Sequence, residues 1–420
     1  MILAAGIINL ISLAIFIRKR EMVGSPAVWM VGLISIMLLG NVFNPLKPTP
    51  RVVESFDTSI EIVILLFAIV TLVSATFCRI DGFRLRLRKA DLWRINSNYI
   101  ILTISIVAVI HFFLLAAKAG GIPLLVFGEF SGTSGHLRYN DFRLPFVTQL
   151  VRGFVRVSVA ILLMNYIFCH DDLKTFLKRE SISILLVGLQ LLLILLEGTR
   201  SIFVHAFVAT MFILALKTRP NRTLIFSGAM FVIMTFVVVG EIRRGGSKMS
   251  ERLDFTSSVS AIDNGVSWVA NYTIPNLQNY QLAIDAYEGV DFYGYLLFKG
   301  FIPDSLLFPF MRVVGIDPDK FEGELLNGSV YVIPSYPSMT FRTVFADLHV
   351  EFGPVGAFLI PSFFLIFFVI ALRKLFSKPG NAVVALYMVP GIFSVPLMNN
   401  FNNLANLTVL VLLLLIRRNA

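Results

Sequence analysis

Three polar residues in an otherwise apolar block, Gln149, Arg152 and Arg156, have the spacing and chemistry to hold an anion. They recur every three or four residues, which places them on one face of a helix. A charged side chain near the middle of a bilayer costs about 2.5–3.5 kcal/mol on insertion scales, so such residues usually face the protein interior and serve function. If the helix enters from outside near Phe146, the three lie roughly 5, 9 and 15 Å deep. Arg152 is within snorkelling reach of the interface, whereas Arg156 is harder to bring there.

Further arginines gather nearby in the sequence pattern. In Glu197-Gly198-Thr199-Arg200-Ser201, Arg200 stands at a helix N-terminus, where the macrodipole disfavours a cation. A phosphate shared by the free N–H groups and the guanidinium resolves that conflict, and so does a local Glu197–Arg200 ion pair. Arg138, Tyr139, Asn140 and Arg143 precede the Gln149 block, and Arg243 and Arg244 follow a later apolar block. A single surface Arg is ordinarily a solvated charge. Several on one side suit phosphate oxygens better than ammonium groups would.

A second kind of chemistry is offered by Asp347-Leu348-His349-Val350-Glu351, preceded by Arg342. If a helix begins early enough to include them, Asp347 and Glu351 share a face. Paired carboxylates, or the imidazole between them, suit a general base acting on a sugar hydroxyl. The competing reading is an interfacial helix end, where acidic residues complement the dipole. Asp317-Pro318-Asp319 has an Asp-x-Asp form but reads better as a turn. His111 and His205 are lone imidazoles in apolar blocks and read as packed, hydrogen-bonded groups. The Asn-rich stretch 398–406 either lines a sugar site or forms a polar turn. No phosphate-cradling Gly loop and no HExxH is present in the sequence.

The elements that must position these residues follow from composition. Of 420 residues, 56% are hydrophobic and only 15% charged, against about 25% charged in soluble domains. Apolar blocks long enough to cross a roughly 30 Å hydrocarbon layer recur along the chain. They predict eleven helices, near 2–17, 27–43, 59–78, 98–117, 146–168, 181–197, 201–216, 223–240, 352–371, 382–397 and 404–416. The loops 18–26, 79–97, 169–180, 217–222, 372–381 and the tail 417–420 hold 20 of the 36 basic residues and 6 of the 26 acidic ones. That side is cytoplasmic by the positive-inside rule, which puts the N-terminus outside and the C-terminus inside. The first block has its charges after it, so it reads as a span rather than a cleaved signal peptide. The net charge of +10 is then mainly a topology signal with attraction to anionic lipid, and it excludes a nucleic-acid reading.

The organisation expected is an all-α polytopic membrane protein in three parts: 1–240 with eight spans and an external loop at 118–145, a large external loop at 241–351, and 352–420 with three spans. Within the large loop, 292–314 is apolar and aromatic but interrupted by Lys299, Asp304 and two prolines, so it reads as interfacial or re-entrant. Cys78 and Cys169, the two cysteines, give no disulfide framework and no cysteine zinc site.

On these residues the chain resembles the bacterial O-antigen or oligosaccharide repeat-unit polymerase family. Thr340-Phe341-Arg342 followed by Glu351-Phe352-Gly353-Pro354-Val355-Gly356 resembles the family's Thr…Asp-Phe-Gly-x-x-Gly approach to a late helix, with Glu in place of Asp. Gly198-Thr199-Arg200 resembles its short Gly-x-Arg turn, and the plan of spans around one large external loop covers the whole chain. The resemblance implies a GT-C-like glycosyltransferase of the bacterial inner membrane. It would use undecaprenyl-diphosphate-linked oligosaccharide as donor and acceptor at the periplasmic face, alongside a flippase and a chain-length regulator. Arg152, Arg156, Arg200, Arg243 and Arg244 would bind diphosphate, and Glu351, Asp347 or His349 would be the catalytic base. Arg138, Tyr139, Arg143, Gln149 and Arg342 would contact substrate. The donor carries its own leaving group, so no metal or cofactor is expected. The rival readings are an O-antigen ligase, a flippase for the same lipid, and a polyprenyl-phosphate mannosyltransferase-like enzyme. The absence of a visible internal repeat weighs against the flippase. The region 44–58, with only Glu54 and Asp57, weighs against the mannosyltransferase.

Overall fold

Long apolar runs without backbone partners in lipid must satisfy their own N–H and C=O groups, and in this chain they do so as helices. The computed structural model describes residues 1–18, 26–43, 53, 55–77, 91–129, 145–170, 172–199, 201–217, 227, 273–287, 304–313, 315, 317, 343–375, 381–384, 386–387, 408–409 and 411–413. Among them, helices are the regular structure. They are α1 (Ile2–Arg18), α2 (Pro26–Phe43), α3 (Thr58–Phe77), α4 (Asp91–Ala119), α5 (Pro123–Glu129), α6 (Pro145–Cys169), α7 (Leu173–Arg179), α8 (Ser181–Leu196), α9 (Ser201–Lys217), α10 (Pro275–Ala286), α11 (Asp304–Val313) and α12 (Val344–Leu375). The expected spans at 223–240, 382–397 and 404–416 lie largely outside the described residues.

Thr58–Phe77, Ser97–Val126, Phe146–Cys169 and Val344–Phe363 are long and apolar enough to cross a membrane. A fifth crossing results if α7 and α8, bent by 79°, count as one span. The surfaces agree. Ile62, Leu66, Ile69 and Val73 on α3 are exposed at helical spacing, and so are Val355, Leu359, Phe363 and Ile366 on α12. Apolar stripes of this length face lipid, since water would not leave them uncovered. These helices are consistent with a multi-pass membrane protein.

The helices form two compact units. One comprises Met1–Asp81, Val269–Leu372 and Gly391–Leu407. In it α1 packs against both α2 and α3, with Phe16, Val28, Val31 and Ala75 in a common core. The short polar helix α10 packs on the end of α2, where Asn41 Nδ2 donates to the Ile274 carbonyl (2.6 Å) and Gln278 donates to Asn41 Oδ1 (3.3 Å). Phe67 of α3 meets Phe345 of α12 edge to face at 5.0 Å.

The second unit comprises Gly82–Trp268, Arg373–Pro390 and Thr408–Ala420. Here α4 packs on α6 and α8, and α9 packs on α6. Polar clasps tie the bundle where apolar contact alone would not fix helix register. Gln190 of α8 donates to the Ile101 carbonyl (3.2 Å) and to Ser105 (2.7 Å) on α4. Ser97 of α4 donates to Asn165 of α6 (3.1 Å).

Two elements differ from the sequence expectation. Helix α4 starts at Asp91 rather than near 98, because its first turns are polar and therefore invisible to hydropathy. Helix α12 starts at Val344 rather than 352, capped by Thr343, whose Oγ1 accepts from the Ala346 N–H (3.1 Å). It breaks at Gly353 (φ 67°, ψ −172°), a conformation essentially confined to glycine, and Pro354 opens the second segment. At Gly356 a Cβ would collide with the Phe352 Cβ and approach the Leu348 carbonyl at 3.4 Å. Both glycines of the motif therefore shape the junction. Gly353→Ala should destabilise the protein by about 1–3 kcal/mol. Gly188→Ala, in open space on α8, should instead gain up to about 1 kcal/mol. Thermal unfolding in detergent micelles, comparing the two variants with the parent, is the measurement.

Candidate functional site

The second unit builds its charged cluster from three helices. Thr148, Arg152 and Arg156 follow one another at helical spacing along α6, and Thr148 and Arg152 are buried. Helix α8 ends in a glycine-terminated turn: Gly198 (φ 81°) donates to the Leu195 carbonyl (2.8 Å) and Thr199 to the Ile194 carbonyl (3.2 Å). This turn leaves Glu197 as the C-cap of the helix, 2% exposed. A carboxylate at a helix C-terminus opposes the macrodipole, and a cation must compensate. Arg152 supplies it, with Nη2 at 3.4 Å from Glu197 Oε2. His111 of α4 completes the cluster. Its Nδ1 lies 3.0 Å from Glu197 Oε1 and its Nε2 3.1 Å from Thr148 Oγ1.

One turn further along α6, Arg156 is half-buried and has no carboxylate partner among the described residues. Its neighbour is His205 of α9, and the two line a narrow crevice whose other walls are apolar. The crevice has room for about one water molecule.

The first unit carries the other cluster. Asp57 caps α3, its Oδ1 accepting from the Ser59 N–H at 2.6 Å. Hydrogen bonds from Ser59 hold the Asp57 carboxyl below its ordinary range. The Asp57 N–H donates to Gln281 of α10 (2.6 Å), whose amide donates to Asp285 (2.7 Å). From α12, His349 places Nδ1 at 2.7 Å from the Tyr280 hydroxyl and Nε2 at 3.4 Å from Ser59 Oγ. Burial, with the nearby Asp57 charge, pushes the Tyr280 phenol well above its usual range, so it remains a neutral donor or acceptor. Because α12 begins early, Asp347 and Glu351 stand one turn apart on the same helix, and both are half-buried.

Of the residues singled out from sequence, Arg152 and Arg156 thus share one face of α6 with Gln149, in the second unit. Asp347, His349 and Glu351 share α12, in the first. Arg138, Tyr139, Arg143, Arg200, Arg243, Arg244 and Arg342 lie outside the described residues, so the local Glu197–Arg200 alternative does too. Sequence reasoning gave no role to Glu197 as the partner of Arg152, nor to Tyr280 and Ser59 as partners of His349. Burial of a lone carboxylate at a span end was a usable signal for Glu197. Tyr280 offered none, since α10 has no apolar periodicity.

Removing Glu197 leaves Arg152 buried without its counter-ion, so Glu197→Ala should cost about 3–5 kcal/mol. The double variant Arg152→Met/Glu197→Leu should recover much of that loss, as read by thermal unfolding. Asp57→Ala should cost about 1 kcal/mol at neutral pH through loss of the cap. The Asp57 pKa is lowered on folding. Its contribution is therefore complete above the ordinary carboxylate range and fades as pH falls through the lowered pKa. The difference between Asp57→Ala and the parent should shrink in acid.

No family model, curated protein or solved structure matches this chain.

Proposed function

We propose that the protein is a surface-polysaccharide polymerase. It transfers a growing glycan from undecaprenyl diphosphate to the non-reducing end of a new undecaprenyl-diphosphate-linked repeat unit. The observation that carries this reading is the stacking of two guanidiniums on α6: Arg152 is buried and paired with Glu197, and Arg156, one turn on, has no carboxylate partner among the described residues. A charge so placed in an apolar bundle is costly and suits a ligand that is itself anionic and membrane-borne. The likeness of the 198–200 turn and the 351–356 junction to the polymerase family adds to it.

In this reading the chain crosses the bacterial inner membrane eleven times in a GT-C-like arrangement and works at the periplasmic face. Arg152 and Arg156, with Arg200, Arg243 and Arg244, provide the positive field for the lipid diphosphate. The acceptor hydroxyl oxygen attacks the anomeric carbon of the donor glycan. The bond from that carbon to the diphosphate oxygen breaks, and undecaprenyl diphosphate leaves with the electron pair. Arginines stabilise the charge that develops on it. The hydroxyl proton passes to Asp347, His349 or Glu351. For His349 to accept it, either the Tyr280 or the Ser59 contact must give way to the acceptor hydroxyl. Arg138, Tyr139, Arg143, Gln149 and Arg342 contact the sugars. A flippase supplies the substrate, and a chain-length regulator sets where elongation stops.

Deletion of the gene should leave lipopolysaccharide capped with single repeat units. Uncapped lipopolysaccharide would indicate a ligase instead. Arg152→Ala and Arg200→Ala proteins that insert normally should polymerise about a hundredfold more slowly or worse. Full-length polymer from both would contradict the reading.

A further inference from the structure

The connection between α6 and α8 is short but tightly held. It consists mainly of α7, which is bent by 79° from α8 across Glu180. Asp172 caps its start, accepting from the Thr175 N–H (2.7 Å) and the Thr175 hydroxyl (2.8 Å). At its end the Glu180 N–H donates to the Phe176 carbonyl (2.9 Å). The Glu180 side chain is buried, with Oε1 at 3.0 Å from Nε2 of His170, the residue after α6. Phe176, the buried residue of α7, packs against the rings of Tyr166 (5.1 Å) and His170 (5.6 Å). These contacts fix both the direction of α7 and the face that it turns outward.

That outward face is amphipathic. Leu173 and Leu177, one turn apart, are 45% and 50% exposed. Lys174 and Lys178 form a second exposed row beside them, and Arg179 is exposed in the last turn. At about 100° per residue the leucines adjoin Phe176 and the cations lie beyond them. Helix α8 shows what the leucines meet. Ile182, Leu185, Leu189 and Leu192 are exposed along it at helical spacing, so its lipid-facing stripe starts in its first turn. Hydrocarbon therefore begins near the joint, and a helix at 79° to that span lies close to the membrane plane.

We propose that α7 is an in-plane anchor for an anionic leaflet. Leu173 and Leu177 sit at the edge of the acyl region, and Lys174, Lys178 and Arg179 hold phospholipid head groups. The charges are complementary. The carboxylate of Asp172 is engaged by Thr175 and that of Glu180 is buried, which leaves the exposed rows basic. The positive-inside rule puts this joint at the cytoplasmic leaflet, whose surface is negative. A basic loop needs only charge for such attraction. Here a fixed helix also sets the depth and the orientation of the charges. The proposal is independent of the polymerase reading.

The test of depth uses the full chain with Cys78→Ser and Cys169→Ser, in nanodiscs of phosphatidylcholine with about one third phosphatidylglycerol. Leu173→Cys, Lys174→Cys, Leu177→Cys and Lys178→Cys are introduced singly and nitroxide-labelled. Collision with oxygen should dominate at 173 and 177, and collision with a water-soluble nickel chelate at 174 and 178. Chelate dominance at all four positions overturns the anchor, because the leucines would then face water and await a protein partner.

The test of head-group recognition keeps both cysteines and follows thermal unfolding in detergent micelles doped with either lipid. Phosphatidylglycerol should raise the unfolding temperature more than phosphatidylcholine does. Lys174→Gln/Lys178→Gln/Arg179→Gln should lose most of that excess and keep the gain from phosphatidylcholine. Arg84→Gln/Arg86→Gln/Arg88→Gln removes the same charge from another loop of the same side and should keep the excess. Equal loss in the two triple variants, or no excess in the parent, overturns recognition by α7. Polymer formation is read in neither measurement, so failure here leaves the polymerase reading untouched.

Discussion

The ion pair between Arg152 and Glu197 is the constraint on which the second unit depends. Neither charge is tolerable alone in an apolar bundle, so each fixes the position of the other. Glu197 can occupy a helix C-terminus only because Arg152 offsets the dipole there, and Gly198 ends α8 at the residue that lets the carboxylate turn inward. His111 extends the constraint to α4, so α4, α6 and α8 are locked in register around one carboxylate. The depth of Arg156 follows from this. It sits one turn along a helix whose rotation and height are already set.

The first unit solves a different problem with neutral groups. Helix α10 is polar, yet Asn276, Gln278, Asn279, Tyr280 and Gln281 are buried. It is held by amide and carbonyl contacts to α2 and α3 rather than by apolar burial alone. That arrangement orients His349 through Tyr280 and Ser59, while the break at Gly353 separates the short helical segment that carries His349 from the apolar part of α12.

How much of this could be read from the sequence depended on the range of the interaction. Apolar helices are signalled by hydropathy over some twenty residues, and α1 to α3, α6, α8 and α9 stand where that signal put them, whereas α4 begins some turns earlier. The stacking of Gln149, Arg152 and Arg156 is a local consequence of helical period and was equally legible. The partner of Arg152 was not, because Glu197 lies 45 residues away and nothing local links the two. The early start of α12 was hidden because Asp347, His349 and Glu351 lower the hydropathy of its first turns, although Thr343 caps it. Helix α10 left no trace at all, since its burial comes from hydrogen bonding rather than from an apolar stripe. His205 is the packed imidazole that its apolar block suggests, but its position beside Arg156 follows only from how α9 lies on α6.

We propose that the chain transfers glycan between lipid diphosphates. Incubation of the purified protein with an undecaprenyl-diphosphate-linked repeat unit, resolved on a gel, tests it most directly. The expected result is a ladder of products spaced by one repeat unit. Unchanged substrate, under conditions in which a known polymerase elongates its own, would contradict it.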